Sequence, residues 1–156
     1  MIAVEIPGTQ TLRLEHLVLD YNGTLAMDGK LIPHVADRLH TLTAKLAVHV
    51  VTGDTFGHAR EALGGLPCSL TVLPPKRQAL AKLDYVEHLG LQTTVAIGNG
   101  ANDRLMLHAC RLGIAVVQRE GAAGQSIAVA DVVVPSILDA LDLLLHPLRL
   151  VATLRT

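Results

Sequence analysis

The sequence is poor in aromatic residues and has no excess of either charge. Its 156 residues include two Tyr, one Phe and no Trp, and the formal net charge is −1. Nucleic-acid-binding proteins need clustered Lys and Arg, and many stack bases on aromatic side chains. The composition therefore argues against a nucleic-acid partner.

Long apolar runs are also absent, and cysteine is rare. No apolar stretch approaches 18 residues, and the N-terminus lacks the basic-then-apolar order of a signal peptide. Cys68 and Cys110 are isolated in apolar surroundings, as expected of buried thiols in a reducing compartment. We expect a soluble, cytoplasmic protein that neither crosses nor binds a membrane.

What the chain does contain is a regular alternation of apolar strands with amphipathic helices. This order is typical of an α/β fold with a doubly wound parallel sheet between two helical layers. The predicted strands are Leu17–Asp20, Leu46–Thr52, Ser69–Leu73, Thr94–Gly98, Ile114–Val117 and Val132–Val134. The predicted helices lie near 33–45, 56–64, 76–89, 101–110, 121–128 and 136–145.

The chain is predicted to form one domain of three parts. Residues 1–15 alternate apolar and polar residues around Pro7-Gly8, which indicates an N-terminal hairpin, and 16–145 form the core. Residues 146–156 form an apolar tail. A second tight hairpin is expected at 25–32, where Asp28-Gly29 lies between short arms.

The most informative segment is the nonapeptide Leu-Val-Leu-Asp-Tyr-Asn-Gly-Thr-Leu at 17–25. It predicts a buried strand that delivers Asp20 to the carboxyl edge of the sheet, where ligands bind in open α/β folds. A carboxylate there can attack phosphorus. The segment alone is equally consistent with an ordinary strand-to-turn sequence.

Two further segments place polar groups at the same edge. The second strand ends at Thr52-Gly53, whose hydroxyl and amide could bind a phosphoryl oxygen, although helix capping by Asp54 or Thr55 is the better explanation of this segment taken alone. Lys76 is predicted in the first turn of the third helix, where the helix dipole disfavours a cation unless an anion lies opposite. The alternative is an ordinary solvated surface lysine.

Two other cations, Arg77 and Lys82, are nearby alternatives to Lys76.

The fourth strand runs into Gly98-Asn99-Gly100-Ala101-Asn102-Asp103. Oxygens from Asn99 and Asp103, together with Asp20, are the hard ligands that Mg²⁺ requires. Plain turn and capping chemistry is the alternative for this segment.

In this order, the four segments resemble the haloacid dehalogenase (HAD) superfamily. The resemblance covers about residues 17–145. Within the superfamily, Thr52-Gly53-Asp54 and the segment 98–103 are most similar to the phosphorylation domain of P-type ATPases, and the tail resembles a group of soluble P-type ATPase-like proteins.

The resemblance implies roles for the matching residues. Asp20 matches the nucleophile that forms an aspartyl-phosphate, Thr52 the phosphate-binding hydroxyl, and Lys76 the lysine that neutralises both the nucleophile and the phosphoryl group. The implied cofactor is Mg²⁺. Its implied ligands are Asp20, the Asn22 carbonyl, Asn99 and Asp103.

Two departures from the family pattern weaken this chemistry. Family phosphatases usually have a general acid/base Asp where this chain has Asn22, and the loss of such a group typically costs about 10²–10⁴ in rate. Asn99 likewise replaces a metal-binding Asp, so weaker metal binding is expected because a neutral ligand loses Coulombic attraction.

The leading hypothesis is a Mg²⁺-dependent phosphohydrolase of small phosphorylated molecules, without a cap domain. Only 27 residues separate Thr24 from Thr52, and 21 separate Asp54 from Lys76, which leaves no room for a cap. The alternative is a catalytically impaired binding or regulatory module.

An open site also favours a homo-oligomer, in which the 25–32 hairpin or the tail covers a neighbouring subunit. A monomer whose tail covers its own sheet is the alternative. Eight histidines show no close metal-ligand spacing. His58 could approach the crevice, but a surface or satisfied-core position is the stronger interpretation for all eight.

Overall fold

The structure is a computed structural model that describes residues 1–53 and 57–156. Its centre is a six-stranded parallel sheet formed by β3 (His16–Leu19), β6 (Ala47–Thr52), β7 (Ser69–Val72), β8 (Thr94–Gly98), β9 (Leu112–Val116) and β10 (Val132–Val134). The strand order across the sheet is β10-β9-β8-β3-β6-β7.

Seven helices of the described residues connect and cover these strands. They are α1 (Val35–Leu42), α2 (Ala59–Ala62), α3 (Gln78–Leu89), α4 (Arg104–Ala109), α5 (Gly124–Val129), α6 (Ile137–Leu145) and α7 (Leu148–Leu154). A 3₁₀ turn, Ala101–Asp103, leads into α4. The α/β class and the parallel sheet predicted from the sequence are therefore confirmed.

Alternate residues of the central strands face opposite helical layers. On β3, Leu17 and Leu19 belong to the larger apolar core with α1 and α6, whereas Val18 belongs to a second cluster with α3 and α4. Strands buried on both faces are expected to be apolar throughout, because helices cover both sides of a parallel sheet. The molecule is thus a three-layer sandwich.

Two small antiparallel hairpins accompany the sheet. The strands β1 (Ile2–Val4) and β2 (Leu12–Leu14) pair at the N-terminus, and β4 (Ala26–Met27) pairs with β5 (Lys30–Leu31) directly after β3. Asp28 and Gly29 both have positive φ, of 51° and 76°, as a two-residue type I′ turn requires. Both hairpins lie where the sequence predicted them.

Several predicted boundaries are wrong by a few residues for identifiable reasons. The helix expected from 33 begins at Val35 because His34 adopts a left-handed conformation. Arg77, also left-handed, delays the helix expected from 76 until Gln78. Asp54 and the beginning of the helix predicted at 56–64 lie outside the described residues.

The tail packs on its own chain. It contains α7, in which Leu150 is fully buried in the larger core, and the amide of Thr156 donates to the carbonyl of Pro7 in the N-terminal hairpin. The apolar residues of this segment therefore complete a core within the molecule. Leu148, 81% exposed, is the exception.

The strand order creates one crevice at the carboxyl edge. From β3 the chain moves outward through β6 and β7, and then returns to β8 on the other side of β3. Open α/β proteins bind ligands where the direction of winding reverses in this way. Here that point lies between the ends of β3 and β8, which carry Asp20 and Asn99.

Candidate active site

Asp20 lies directly after β3 and is paired with a lysine. Lys82 Nζ is 2.6 Å from Asp20 Oδ1 and 2.6 Å from Asp103 Oδ1. Lys82 and Asp103 are fully buried, and Asp20 is 6% exposed. The three charges therefore form one compact cluster beneath the crevice, with one more negative charge than positive.

The lysine in this cluster is not the one favoured by the sequence. Lys76 is exposed and lies before the left-handed Arg77, outside α3. Lys82 is one turn inside α3, and side chains on a helix tilt toward its N-terminus. That tilt brings Lys82 to the carboxyl edge, so Lys82 occupies the position that Lys76 was expected to fill.

A signal for Lys82 was present in the sequence. Lys82 and Val86 are four residues apart, so they lie on the same face of α3, and both are fully buried. A lysine in the apolar stripe of a helix is almost never fully buried unless it is paired. The position of Lys82 in that stripe indicates a buried acidic partner.

Asp103 holds the lysine and closes the loop after β8. Its Oδ2 accepts from the backbone amides of Asn99, at 3.0 Å, and Gly100, at 2.8 Å. A Cβ on Gly98 would lie 2.5 Å from the Asp103 carboxyl group, so only glycine fits there. Both oxygens of Asp103 are thus engaged by this chain.

Burial changes the protonation behaviour of the cluster. Burial and the charge of Asp103 raise the pKa of Asp20 to about 6, against the opposing effects of Lys82 and Thr24. Burial alone lowers the pKa of Lys82, but the two carboxylates outweigh it and the net pKa shift is upward. At neutral pH, Asp20 is therefore mostly ionised and Lys82 is protonated.

The Thr24 hydroxyl links the two strand ends. Thr24 Oγ1 is 3.1 Å from Asp20 Oδ2 and 3.2 Å from Asn99 Oδ1, and Thr24 is fully buried. Gly23, with φ of 78°, lets the loop approach Asn99, since a Cβ there would lie 2.4 Å from Asn99 Nδ2. The acceptors of Asp20 and Asn99 therefore lie side by side.

Asn99 is held in a definite orientation. Its Nδ2 donates to the Gly121 carbonyl at 3.0 Å, so its Oδ1 faces Thr24. An aspartate at this position has no N–H and could not donate to the Gly121 carbonyl. The surrounding loop is therefore built around an amide at this position.

Thr52 ends β6 at the same edge and is 1% exposed. Gly53 follows it, and a Cβ there would lie 2.3 Å from Gln78 Nε2 at the start of α3. Gln78 Oε1 in turn accepts from Asn102 Nδ2 at 2.9 Å. The end of β6, the start of α3 and the loop after β8 are thus packed together.

The hard oxygen atoms at this edge fit a divalent cation such as Mg²⁺, with one exception. The Asp20 carboxylate and Asn99 Oδ1 are adjacent, and among the described residues the Asn22 carbonyl takes part in no backbone hydrogen bond of the loop. The exception is Asp103, whose oxygens serve Lys82 and two amides.

The remaining donor set carries one formal negative charge. Within residues 1–53 and 57–156, there is no group of three or more His, Cys, Asp or Glu side chains arranged to hold a metal. The amide at position 99 adds no charge to this set, where a carboxylate would add a second one.

The β4–β5 hairpin is tied to the residue that follows Asp20. The Tyr21 hydroxyl donates to the Gly29 carbonyl at 3.1 Å and fixes the hairpin to the loop after β3. A cavity of about 380 Å³ separates the hairpin from α2. It is lined by Asp28, Gly29, Lys30, Leu31, His58, Glu61 and Ala62.

His58 lines this cavity, but Asp20, Thr52 and Asn99 do not, so the approach of His58 to the crevice stays a prediction. No hydrogen bond or ion pair connects His58 to Asp20 in the described part of the chain.

Within residues 1–53 and 57–156, the structure contains no helix with the length and apolar character needed to span a membrane.

Comparison with solved structures defines the fold. The 3-deoxy-D-manno-octulosonate 8-phosphate (KDO 8-phosphate) phosphatases of Haemophilus influenzae, in a cobalt-bound form, and Moraxella catarrhalis, in complex with magnesium, phosphate and KDO, are each 18% identical to this chain. Their TM-scores are 0.71 and 0.68, and the matches cover 86% and 85% of this chain and 88% and 86% of theirs.

A Legionella pneumophila protein assigned to the subfamily III A hydrolases of the HAD superfamily gives a TM-score of 0.70 at 18% identity. The match covers 92% of this chain and 88% of that one. The chain therefore has the HAD-like fold, and no cap domain interrupts it within the described residues.

Sequence comparison identifies a nearer relative. No protein-family model matches the sequence. The uncharacterized protein MJ0073 of Methanocaldococcus jannaschii is 46% identical over 82 residues, which are 50% of this chain and 88% of that protein. The chain belongs to the same family as this archaeal protein.

Proposed function

We propose that the protein is a Mg²⁺-dependent phosphohydrolase that acts through Asp20 on a small phosphorylated molecule. The observation that carries this proposal is the cluster in which Lys82 and Thr24 both contact Asp20. This cluster lies at the point where the direction of winding of the sheet reverses. The HAD-like fold and the similarity to KDO 8-phosphate phosphatases support it.

The proposed reaction begins with attack by an Asp20 carboxylate oxygen on the phosphorus atom of the substrate. The bond from phosphorus to the leaving oxygen breaks, and that oxygen takes a proton from water. A second water molecule then attacks the phosphorus of the aspartyl-phosphate, which releases inorganic phosphate and regenerates Asp20. Lys82, the Thr52 hydroxyl and the Gly53 amide would hold the phosphoryl oxygens.

Asp20, the Asn22 carbonyl and Asn99 would hold the Mg²⁺ ion, which when bound would neutralise charge on the phosphoryl group. Asp103 would serve this site indirectly, because it holds Lys82 and the amides of Asn99 and Gly100. This assignment removes Asp103 from the predicted ligands and leaves Asp20 as the one carboxylate.

We assign the leaving group to the cavity beside the hairpin, although Asp20 is not among its lining residues. Its volume of about 380 Å³ suits a small metabolite. Asn22 Oδ1 is buried without a hydrogen-bond partner among the described residues.

Within the superfamily, we place the chain with the soluble P-type ATPase-like proteins. The support is Thr52-Gly53-Asp54 together with the 98–103 segment. We also propose cytoplasmic residence and a single functional domain.

The proposal is tested by incubating the protein with Mg²⁺ and p-nitrophenyl phosphate. Wild type should release nitrophenol, and Asp20→Asn should not. Asp37→Asn, which removes an exposed carboxylate on α1, is the matched control and should retain full activity. Equal activity of Asp20→Asn and wild type would contradict the proposal.

A second candidate is a catalytically impaired module that binds a phosphorylated ligand. Asn22 and Asn99 favour it, because both replace acids that the family usually carries. This candidate predicts that phosphate raises the melting temperature of wild type while no phosphate ester is cleaved. Cleavage that depends on Asp20 excludes it.

We further propose a homo-oligomer. The tail packs on its own core, as the monomer alternative expects, so this proposal depends on the β4–β5 hairpin as the surface that meets another subunit. Light scattering at micromolar concentration tests this, and a mass near 16.6 kDa would contradict it.

A further inference from the structure

The side chain of Gln118, just after β9, binds three backbone groups that belong to two distant segments. Its Nε2 donates to the carbonyls of Gly23, at 3.1 Å, and Thr24, at 2.9 Å. Its Oε1 accepts from the amide of Ile137 at 2.8 Å. One amide group thus connects the loop after β3 with the beginning of α6.

The chemistry of these partners fixes the orientation of the amide. Ile137 is the first residue of α6, where a backbone N–H has no acceptor within the helix. Backbone carbonyls can only accept, so the donor end of Gln118 must face Gly23 and Thr24. The uncharged carboxamide of glutamine combines two donor hydrogens with an acceptor oxygen. Asparagine carries the same group, but its side chain is one methylene shorter.

The backbone that Gln118 holds carries the Thr24 hydroxyl. That hydroxyl contacts Asp20 Oδ2 and Asn99 Oδ1. The loop lies so close to Asn99 that a Cβ on Gly23 would overlap its amide. A small shift of the loop therefore changes the position of Thr24 relative to both acceptors.

The same segment also holds Asn99. The Gly121 carbonyl accepts from Asn99 Nδ2 at 3.0 Å, and the Ala123 amide donates to the Asn99 carbonyl at 2.8 Å. Residues 118–123 therefore hydrogen-bond both to the loop that carries Thr24 and to Asn99, which the Thr24 hydroxyl contacts. These contacts define a brace behind the site, with Gln118 at one end.

We propose that Gln118 is a positioning residue that sets the Thr24 hydroxyl against Asp20 and Asn99. It touches neither Asp20 nor Asn99 and acts through the Gly23–Thr24 backbone. This inference rests on the proposed phosphoryl transfer at Asp20.

Three variants test it by p-nitrophenyl phosphate hydrolysis. Gln118→Leu removes all three hydrogen bonds, and kcat should fall about ten- to a hundredfold with KM little changed, because misplacement of about 1 Å can cost that much. Ser136→Ala is the matched control, since it removes the Oγ that caps the amide of Asp139 at the start of α6 without touching Gln118. Its kcat should stay near wild type.

Gln118→Glu supplies a readout that a purely structural role would not move. An ionised carboxylate facing two carbonyls is repulsive, whereas the protonated form can donate to one of them. The ratio of Gln118→Glu to wild-type kcat should therefore rise as the pH falls from neutral. This pH dependence also decides the role of Gln118 if the Gln118→Leu variant does not fold. A ratio independent of pH would contradict the proposal.

One further measurement separates this inference from the proposed function. The order parameter of the Thr24 methyl group, measured by NMR on Thr-labelled protein, should fall in Gln118→Leu and stay unchanged in Ser136→Ala. If wild type lacks activity, the proposed function fails and this measurement alone decides the role of Gln118. If wild type is active but Gln118→Leu matches Ser136→Ala in kcat, the inference fails and the function stands.

Discussion

Lys82 Nζ lies 2.6 Å from Asp20 Oδ1, inside the protein and one turn within α3. Since Lys82 also pairs with Asp103, removing it would leave two buried carboxylates without a cation. Breaking a buried pair in this way typically costs about 3–5 kcal/mol. This contact therefore serves both the stability of the fold and the proposed chemistry.

The first prediction compares the two lysines. Lys82→Met should abolish p-nitrophenyl phosphate hydrolysis and lower the free energy of unfolding at pH 7 by about 3 kcal/mol or more, because Asp20 and Asp103 lose their counter-charge. Lys76→Met should change neither, since Lys76 is exposed. Chemical denaturation and kinetic assays on both variants check this. An inactive Lys76→Met beside an active Lys82→Met would restore the assignment made from sequence.

The second prediction concerns Asn22. Because Asn22 cannot transfer a proton, hydrolysis of the aspartyl-phosphate should be slow and the phospho-enzyme should accumulate. Asn22→Asp should raise the steady-state rate, given that general acid/base groups typically contribute about 10²–10⁴-fold. Rapid-quench measurements give the phospho-enzyme level. An Asn22→Asp variant whose turnover is equal to or slower than that of wild type, with intact metal binding, would argue against this view.

The third prediction concerns Asn99. Asn99→Asp loses the hydrogen bond to the Gly121 carbonyl and places a carboxylate against it, so the metal-free variant should melt at a lower temperature than wild type. The added charge should strengthen Mg²⁺ binding, so the increase in melting temperature caused by Mg²⁺ should be larger in the variant. Equal Mg²⁺-induced increases would remove Asn99 from the proposed ligands.

The fourth prediction follows from the raised pKa of Asp20, about 6 in the folded state against 3.8 for the unperturbed group. The folded state keeps this proton more tightly than the unfolded state. The contribution of Asp20 to stability should therefore be most favourable below pH 3.8, decline as the pH rises to 6, and remain low above it.

The expected size is up to about 3 kcal/mol, at 1.36 kcal/mol per pH unit. Denaturation of metal-free wild type and Asp20→Asn at pH 4 and pH 7 measures it. Wild type should lose stability relative to the variant as the pH rises. A difference independent of pH would show that Asp20 keeps its ordinary pKa.

The sequence was sufficient for the sheet and for the position of Asp20. Buried parallel strands are continuous apolar runs, and a polar residue that ends such a run must lie at the carboxyl edge. The same rule located Thr52 and Asn99. These positions depend only on local pattern, which a single sequence displays.

The sequence was insufficient where a side chain must reach across the fold. Lys76 was favoured over Lys82 because the left-handed turn at Arg77, which removes Lys76 from the helix, has no clear local signature. Helix α7 was predicted only as an apolar tail, since its burial depends on the N-terminal hairpin. Gln118 gave no signal, because its three partners lie 19, 94 and 95 residues away.

The most direct test of the account is the chemical state of Asp20 during turnover. Protein mixed with Mg²⁺ and acetyl phosphate, quenched in acid and digested, should yield a peptide containing Asp20 that has gained the mass of one phosphoryl group. Asp20→Asn should yield none, and Asn22→Asp should yield less than wild type. An unmodified Asp20 in protein that still cleaves acetyl phosphate, or a phosphoryl group on another residue, would contradict the account.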